Sequence, residues 1–308
     1  MAVQADVAPA GVASSRDYWT SVARLLFVTC LWSTIGLVVR SMTTASALEI
    51  NAGRSGVMAV AVLLALRFMR GPRFIPPPER SWLEPSLIVA LFYVTGSTFY
   101  MLAINNTSVA NAVAIGATSP VFAAFLAPLF LRERTTARVA AAAVAALFGV
   151  WLMVSGADPT GRVTMLGDLA AVANAACFAG EMIALRRYRH VDLEFAFVIA
   201  GFATCALCIA ANGGFSVSLH DFALIAFMGC VQLGLPVFLL PRGARDVPAV
   251  QITLISLLDV VLNPLWVWLA FAERPGNGAL LGAGVIVGAV VIATVTFSPR
   301  RREVAGAR

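Results

Sequence analysis

The sequence predicts an all-α polytopic membrane protein, ten transmembrane helices arranged as two inverted five-helix repeats. Three observations carry this. Hydrophobic residues make up 60% of the 308 and charged residues only 12%, with a mean hydropathy of +0.86; a soluble chain carries about a quarter charged residues. The apolar residues gather into ten runs of membrane length. The basic residues, all 22 of them arginine, fall almost entirely between alternate runs.

Crossing about 30 Å of hydrocarbon takes roughly 20 apolar residues. Runs of that kind lie at about 19–39, 47–69, 84–105, 108–131, 137–155, 164–185, 194–211, 221–240, 247–271 and 277–297. All are read as helices, because an open strand leaves its backbone unsatisfied in lipid. The connections are short. The longest polar break, Arg70 to Arg80, holds Pro76, Pro77 and Pro78 and reads as a loop.

Arginine placement then sets the orientation. Eighteen arginines fall on one side of this ten-span scheme, among them Arg16, Arg70, Arg132, Arg186, Arg242 and Arg300. Three, Arg40, Arg162 and Arg274, fall on the other, and Arg54 lies within a span. The positive-inside rule puts the arginine-rich side in the cytoplasm, with both termini. The predicted divisions are a cytoplasmic tail over 1–18, a first repeat over 19–156, a second over 157–298 and a basic cytoplasmic tail over 299–308.

The repeat shows at residue level. Thr107 to Arg134 is echoed 140 residues on by Val247 to Arg274. Ile115, Val121, Leu129, Glu133 and Arg134 face Ile255, Val261, Leu269, Glu273 and Arg274; Asn111 faces Gln251, and Ser119 faces Asp259. Such internal similarity marks a duplicated unit. An odd number of spans per unit inserts the second copy upside down, the arrangement from which secondary transporters build a site near the bilayer midplane.

Other chemistries find little support. The five cysteines all lie in apolar runs; Cys205 and Cys208 share a helix face, but no second pair or histidine joins them, so neither a metal nor another cofactor is expected. The two histidines, His190 and His220, fall in loops on opposite sides, and no nucleophile with a base or phosphate-cradling loop is present. The reading is not an enzyme. The net charge of +6 is accounted for by membrane orientation, so no nucleic acid partner is expected.

Two stretches resemble a known family. TSVANA followed by SPVFAAFLAPLFLRER is similar to the first repeat of the EamA-type branch of the drug/metabolite transporter superfamily. QLGLPVFLLPRGARDVPAVQITLISLLDVVLNPLWVWLAFAERP is similar to its second, and LWSTIGLVVR and the intramembrane Arg54 also fit. The resemblance covers about 20–297. It implies a secondary carrier in a bacterial inner membrane, working by alternating access and exporting amino acids, other small metabolites or drugs, often against a proton gradient. The cavity lining it implies comes from spans 1, 3, 4, 6, 8 and 9. Uptake of a metabolite, drug export and a passive channel stay open as alternatives. Two departures stand out. The family's Leu-Glu-Pro is Leu258-Asp259-Val260 here, and its Leu-Gly-Glu is Phe271-Ala272-Glu273. Pro264 is the expected source of the bend.

Several residues are candidates for the substrate or proton pathway. Asp259 lies eleven residues beyond Pro248, ~16 Å into the span, where a charge costs roughly 2.5–3.5 kcal/mol. It either contacts substrate or carries a proton, or else hydrogen-bonds neighbouring helices. Arg54 either binds an anionic group or balances Asp259; the alternatives are snorkelling outward and a brace to Glu49. Glu181, close in sequence to Arg186 and Arg187, reads as a locally paired or snorkelling carboxylate, with a proton relay second. Asn111 and Gln251 either cap and bridge helices or line opposite gates. Trp32, Tyr100 and Trp266 are either packing aromatics or walls for a substrate. Gly149, Gly156, Gly282, Gly284 and Gly288, with the alanines of 140–146, suit a close interface of the fifth and tenth spans, within one chain or between the chains of a homodimer. The expected partners are a small-molecule substrate and membrane lipid.

Overall fold

The computed structural model describes residues 15–71, 79–133, 135–155, 164–271 and 276–296. Pro76, Pro77, Pro78, Arg134, Gly156, Arg162, Glu273, Arg274 and the second tail lie outside them, as does the first tail up to residue 14; its remaining residues already belong to the first helix. Among the described residues the chain is helical throughout, and ten segments are long and apolar enough to cross a membrane.

Three of the ten are interrupted. Span 1 runs Ser15–Trp32 and, past a turn, Ile35–Arg40; span 2 is Ala47–Arg70 and span 3 Arg80–Asn106. Span 4 is split into Val109–Gly116 and Ser119–Phe130; span 5 is Ala137–Val154, span 6 Met165–Arg187 and span 7 Glu194–Asn212. Span 8, Leu219–Gly243, contains a π-helical stretch at Met228–Gly234. Span 9 is split into Ala249–Ser256 and Leu258–Phe271, and span 10 is Asn277–Thr296.

Local chemistry fixes the helix ends. Ser46 and Glu49 form a reciprocal capping box at the start of span 2, and the hydroxyls of Ser108, Thr136, Thr164 and Ser218 accept backbone N–H groups at four other starts. Span 7 ends on Gly213 at φ 76°, a left-handed position that glycine occupies without strain. Pro236 has no N–H to offer the carbonyl of Gln232, and the π-helical stretch just before it takes up the mismatch.

The packing repeats itself when every span is advanced by five. Span 3 packs on span 6 as span 8 packs on span 1, and span 3 on span 7 as span 8 on span 2. Span 4 meets span 6 as span 9 meets span 1, while pairs 2–7, 4–9 and 5–10 map onto themselves. Pairs that recur under that exchange are what a twofold relation between two five-helix halves would produce, while the contact of span 9 with span 6 has no counterpart of like size. Hydrogen bonds confirm the alternation of sides. The Tyr18 hydroxyl, at the start of span 1, donates to Gln251 Oε1 at the start of span 9 (3.0 Å) and to Thr294 O at the end of span 10 (2.9 Å). On the opposite face, Asp221 at the start of span 8 accepts from the backbone N–H groups of Thr43, Thr44 and Ala45.

The interface of spans 5 and 10 lies within one chain. A Cβ on Gly149 would stand 2.8 Å from Gly282 O, so glycine is what lets these backbones touch. Gly284 and Gly288 have open space around them instead. The outward faces expose Phe125, Leu129, Leu269 and Leu281, as lipid-facing surfaces do.

Candidate functional site

Between the two halves lies a cavity of about 280 Å³. Each wall is a helical stripe. Span 3 supplies Phe92, Tyr93, Gly96, Ser97 and Tyr100, and span 6 supplies Asn174, Phe178 and Glu181, spacings that keep one face inward. Span 8 adds Gln232, Leu233, Pro236, Val237 and Leu240. Trp32 and Ile35 flank the break in span 1, Arg54 and Met58 come from span 2, Phe197 from span 7 and Asp259 from span 9. Among the described residues span 4 contributes no lining residue, unlike the resemblance-based expectation, and spans 2 and 7 do. The reason is packing: Ser119, Ala123 and Ala127 are small and buried, and their helix packs against spans 6 and 9.

Of the eight candidates, the cavity gathers five: Arg54, Asp259, Glu181, Trp32 and Tyr100. Asn51 Oδ1 accepts from Arg54 Nε (3.2 Å) and Nη2 (3.0 Å), and Asn51 Nδ2 in turn donates to Ser97 Oγ (2.8 Å). Arg54 forms no ion pair with Asp259 or Glu49 among the described residues. Glu49 instead accepts the N–H groups of Ser46 (2.9 Å) and Ser216 (3.0 Å). Oδ1 of Asp259 and Nε1 of Trp32 are buried with no hydrogen-bond partner among the described residues. Unpartnered buried polar atoms are rare in proteins, and here an acceptor and a donor share one cavity wall.

Glu181 departs from its sequence-level reading. It is 7% exposed, and no ion pair or hydrogen bond reaches it among the described residues. Arg186 Nε instead donates to Glu133 Oε1 at 2.8 Å, and Arg187 Nη1 to Phe130 O at 2.7 Å. Helical geometry explains this. Five residues turn a helix by about 500°, leaving Arg186 about 140° around from Glu181.

The other three candidates lie outside the cavity. Asn111 Nδ2 reaches Thr107 Oγ1 (3.4 Å) and Asp168 Oδ1 (3.5 Å) on span 6. Gln251, 1% exposed, accepts from Tyr18 and donates to Ala293 O (3.1 Å). Trp266 Nε1 donates to Ser33 Oγ (2.8 Å), bracing the break in span 1. Gln232 Nε2 donates to Thr34 Oγ1 at the same break (2.6 Å). Pro264 does not set the bend in span 9: the helix breaks earlier, at Leu257, whose N–H turns back to Leu254 O.

Residues that sequence reading passed over include Asn51, Asn174 and Gln232. All three are polar groups within apolar runs. Asn51 also precedes Arg54 by one helical turn, a spacing that brings two side chains together.

The two ends of the cavity differ. Glu181, Phe197, Val237 and Leu240, toward the arginine-rich face, are buried, whereas Ile35, Arg54, Ser97 and Tyr100, toward the other, are part-exposed. Polar links close the buried end. Arg70 pairs with Glu194 (3.3 Å) and Asp192 (3.2 Å), and Arg242 with Glu194 (3.5 Å). Arg186 adds bonds to the carbonyls of Ala244 (3.2 Å) and Arg245, and Ser21 Oγ donates to Asp246 Oδ2 (2.7 Å). The cavity is shut toward the arginine-rich face and approachable from the opposite one.

Comparison with known proteins agrees with this architecture. Solute carrier family 35 member G1 of Homo sapiens is 26% identical over 284 residues, covering 86% of this chain and 76% of that protein. Pseudopaline exporter CntI of Pseudomonas aeruginosa is 25% identical over 272 residues, covering 86% of this chain and 91% of the exporter. A protein of known crystal structure superposes with a TM-score of 0.76 at 21% identity, spanning 94% of this chain and all of that one, and so shares the fold. The description "EamA-like transporter family" matches this sequence twice, over residues 20–155 and 165–295. The chain therefore belongs to the EamA-like transporter family, within the drug/metabolite transporter superfamily.

Proposed function

We propose that this protein is a secondary active carrier that exports small amphipathic metabolites, amino acids foremost, by alternating access. It works in a bacterial inner membrane with both termini in the cytoplasm. Proton coupling runs through Asp259. The observation that carries this reading is the cavity: one mid-membrane chamber, shut toward the arginine-rich face, with a guanidinium, two carboxylates and six aromatic rings in its wall. A channel needs a path open at both ends, whereas a carrier needs a chamber closed at one. Arg54, oriented by Asn51, suits a substrate carboxylate. The aromatic rings suit an apolar body, and the unpartnered oxygen of Asp259 suits a proton or an amine. The exporter among the similar proteins supports the outward direction.

The test is uphill flux. Purified protein in sealed vesicles, loaded with phenylalanine at equal concentration on both sides, should accumulate it against its gradient when only a pH difference is imposed. Flux that only ever runs downhill, whatever the pH difference, contradicts coupling.

A further inference from the structure

We propose that Glu181 is an ammonium-binding group, which receives the substrate's amino group on the arginine-rich side of Asp259 and passes it to that residue. The inference rests on the carrier reading and adds the charge that the cargo must bear.

The cavity wall holds one guanidinium and two carboxylates. Arg54 already has a partner in Asn51. Neither carboxylate has a cation among the described residues: Asp259 keeps a buried oxygen without a partner, and Glu181 lies 7% exposed and unbonded. The arginines nearest Glu181 in sequence are committed elsewhere, Arg186 to Glu133 and Arg187 to the Phe130 carbonyl. A buried carboxylate without a partner is costly and is relieved when a cation reaches it.

The surroundings favour an organic cation. Phe178 lies one turn before Glu181 on the same helix face and meets Trp32 edge to face at 6.3 Å. The ring of Phe92 rests on Gly180, where any side chain would collide with it. Aromatic faces attract ammonium groups, most strongly where water is excluded. These rings and the carboxylate line one chamber.

Depth supplies the order. Glu181 lies six residues before the end of span 6, or ~9 Å from the arginine-rich face. Asp259 lies ten residues beyond the start of span 9, or ~15 Å from the same face. Arg54 lies seven residues into span 2, or ~10 Å from the opposite face. A molecule entering from the arginine-rich side meets Glu181 first and Asp259 ~6 Å deeper. Its carboxylate then lies toward Arg54.

Three probe molecules test this by calorimetric titration into the purified full chain: phenethylamine, phenylalanine and N-acetylphenylalanine. The first two should bind, and Glu181→Gln should weaken both by about tenfold, the loss of one charge-assisted hydrogen bond. N-acetylphenylalanine should respond to the substitution by less than about twofold, and Glu181→Asp should restore part of the amine affinity. The proposal is overturned if phenethylamine fails to bind the unmodified chain. It is equally overturned if Glu181→Gln weakens N-acetylphenylalanine as much as phenylalanine, or leaves amine binding intact while changing only the pH profile of flux. Absence of uphill flux alongside intact, Glu181-dependent amine binding would instead remove the coupled-carrier reading and leave this one standing.

Discussion

Spans 4 and 9 break at the same place in the repeat and meet opposite surroundings. Span 4 is interrupted at Ala117 and Thr118, just before Ser119; span 9 is interrupted at Leu257, just before Asp259. Each break carries a short i→i−3 turn, Thr118 N–H to Ile115 O in one and, one residue earlier in the repeat register, Leu257 N–H to Leu254 O in the other. Yet Ser119 is 3% exposed in packed helix, while Asp259 lines the cavity with a free oxygen. Duplication has supplied one backbone device twice. Surroundings and side chain decide which copy lines the cavity. Interrupted helices in corresponding positions are the usual pointer to a carrier's binding centre, and here only one of the pair lies in the chamber wall.

The sharpest way to break that comparison is to neutralise each matched residue. Asp259→Asn should abolish uphill flux driven by a pH difference while leaving downhill exchange measurable. Ser119→Ala should change flux by no more than about threefold, the worth of one neutral hydrogen bond. Equal losses, or an unchanged pH dependence in Asp259→Asn, would erase the distinction.

A smaller effect is expected at the cation that faces Asp259 across the cavity. Arg54→Lys keeps the charge but loses the two-pronged hold by Asn51, so half-saturation by phenylalanine should rise about tenfold. Asn51→Ala should raise it by less, about threefold, because it releases the guanidinium without removing it. Substrate concentration series in vesicles measure both.

Thiol labelling sharpens the geometry. With the five native cysteines replaced, Asp259→Cys should react with a membrane-impermeant reagent added from the face opposite the arginine-rich one. Ser119→Cys should stay unlabelled under the same conditions. The smallest effect concerns the closed end. Glu133→Gln removes a part-buried ion pair with Arg186, worth roughly 1–3 kcal/mol, and should raise labelling of Asp259→Cys from the arginine-rich face several-fold.

Much of this was legible in the sequence, for physical reasons. Hydropathy and arginine alternation locate spans because lipid imposes length and charge rules on each helix separately. What a linear reading misses is angle. Glu181 and Arg186 are neighbours in the chain and point to different faces of one helix, so proximity suggested a pair that does not form. Asn111 and Gln251 are matched amides that each bridge to another helix, Asn111 to Asp168 and Gln251 to Tyr18, the first of the two roles their sequence positions offered. Proline is the visible helix breaker, so the sequence points to Pro264 for the bend in span 9. The helix breaks at Leu257 instead, where no glycine or proline marks the spot in the sequence.

The central claim is that the two halves open the chamber to one face at a time, and one measurement addresses it directly. The ends of spans 6 and 8 are tied at the arginine-rich face, where Arg189 Nη1 donates to Arg245 O at 3.1 Å. The equivalent ends of spans 1 and 3 flank the approachable side, above Ile35 and Tyr100. Spin labels at His190 and Arg245 report on the first pair, and labels at Ser41 and Asn105 on the second. With phenylalanine and a pH difference imposed, the account expects the first distance to lengthen as the second shortens. Two distances that stay fixed, or that lengthen together, would contradict it.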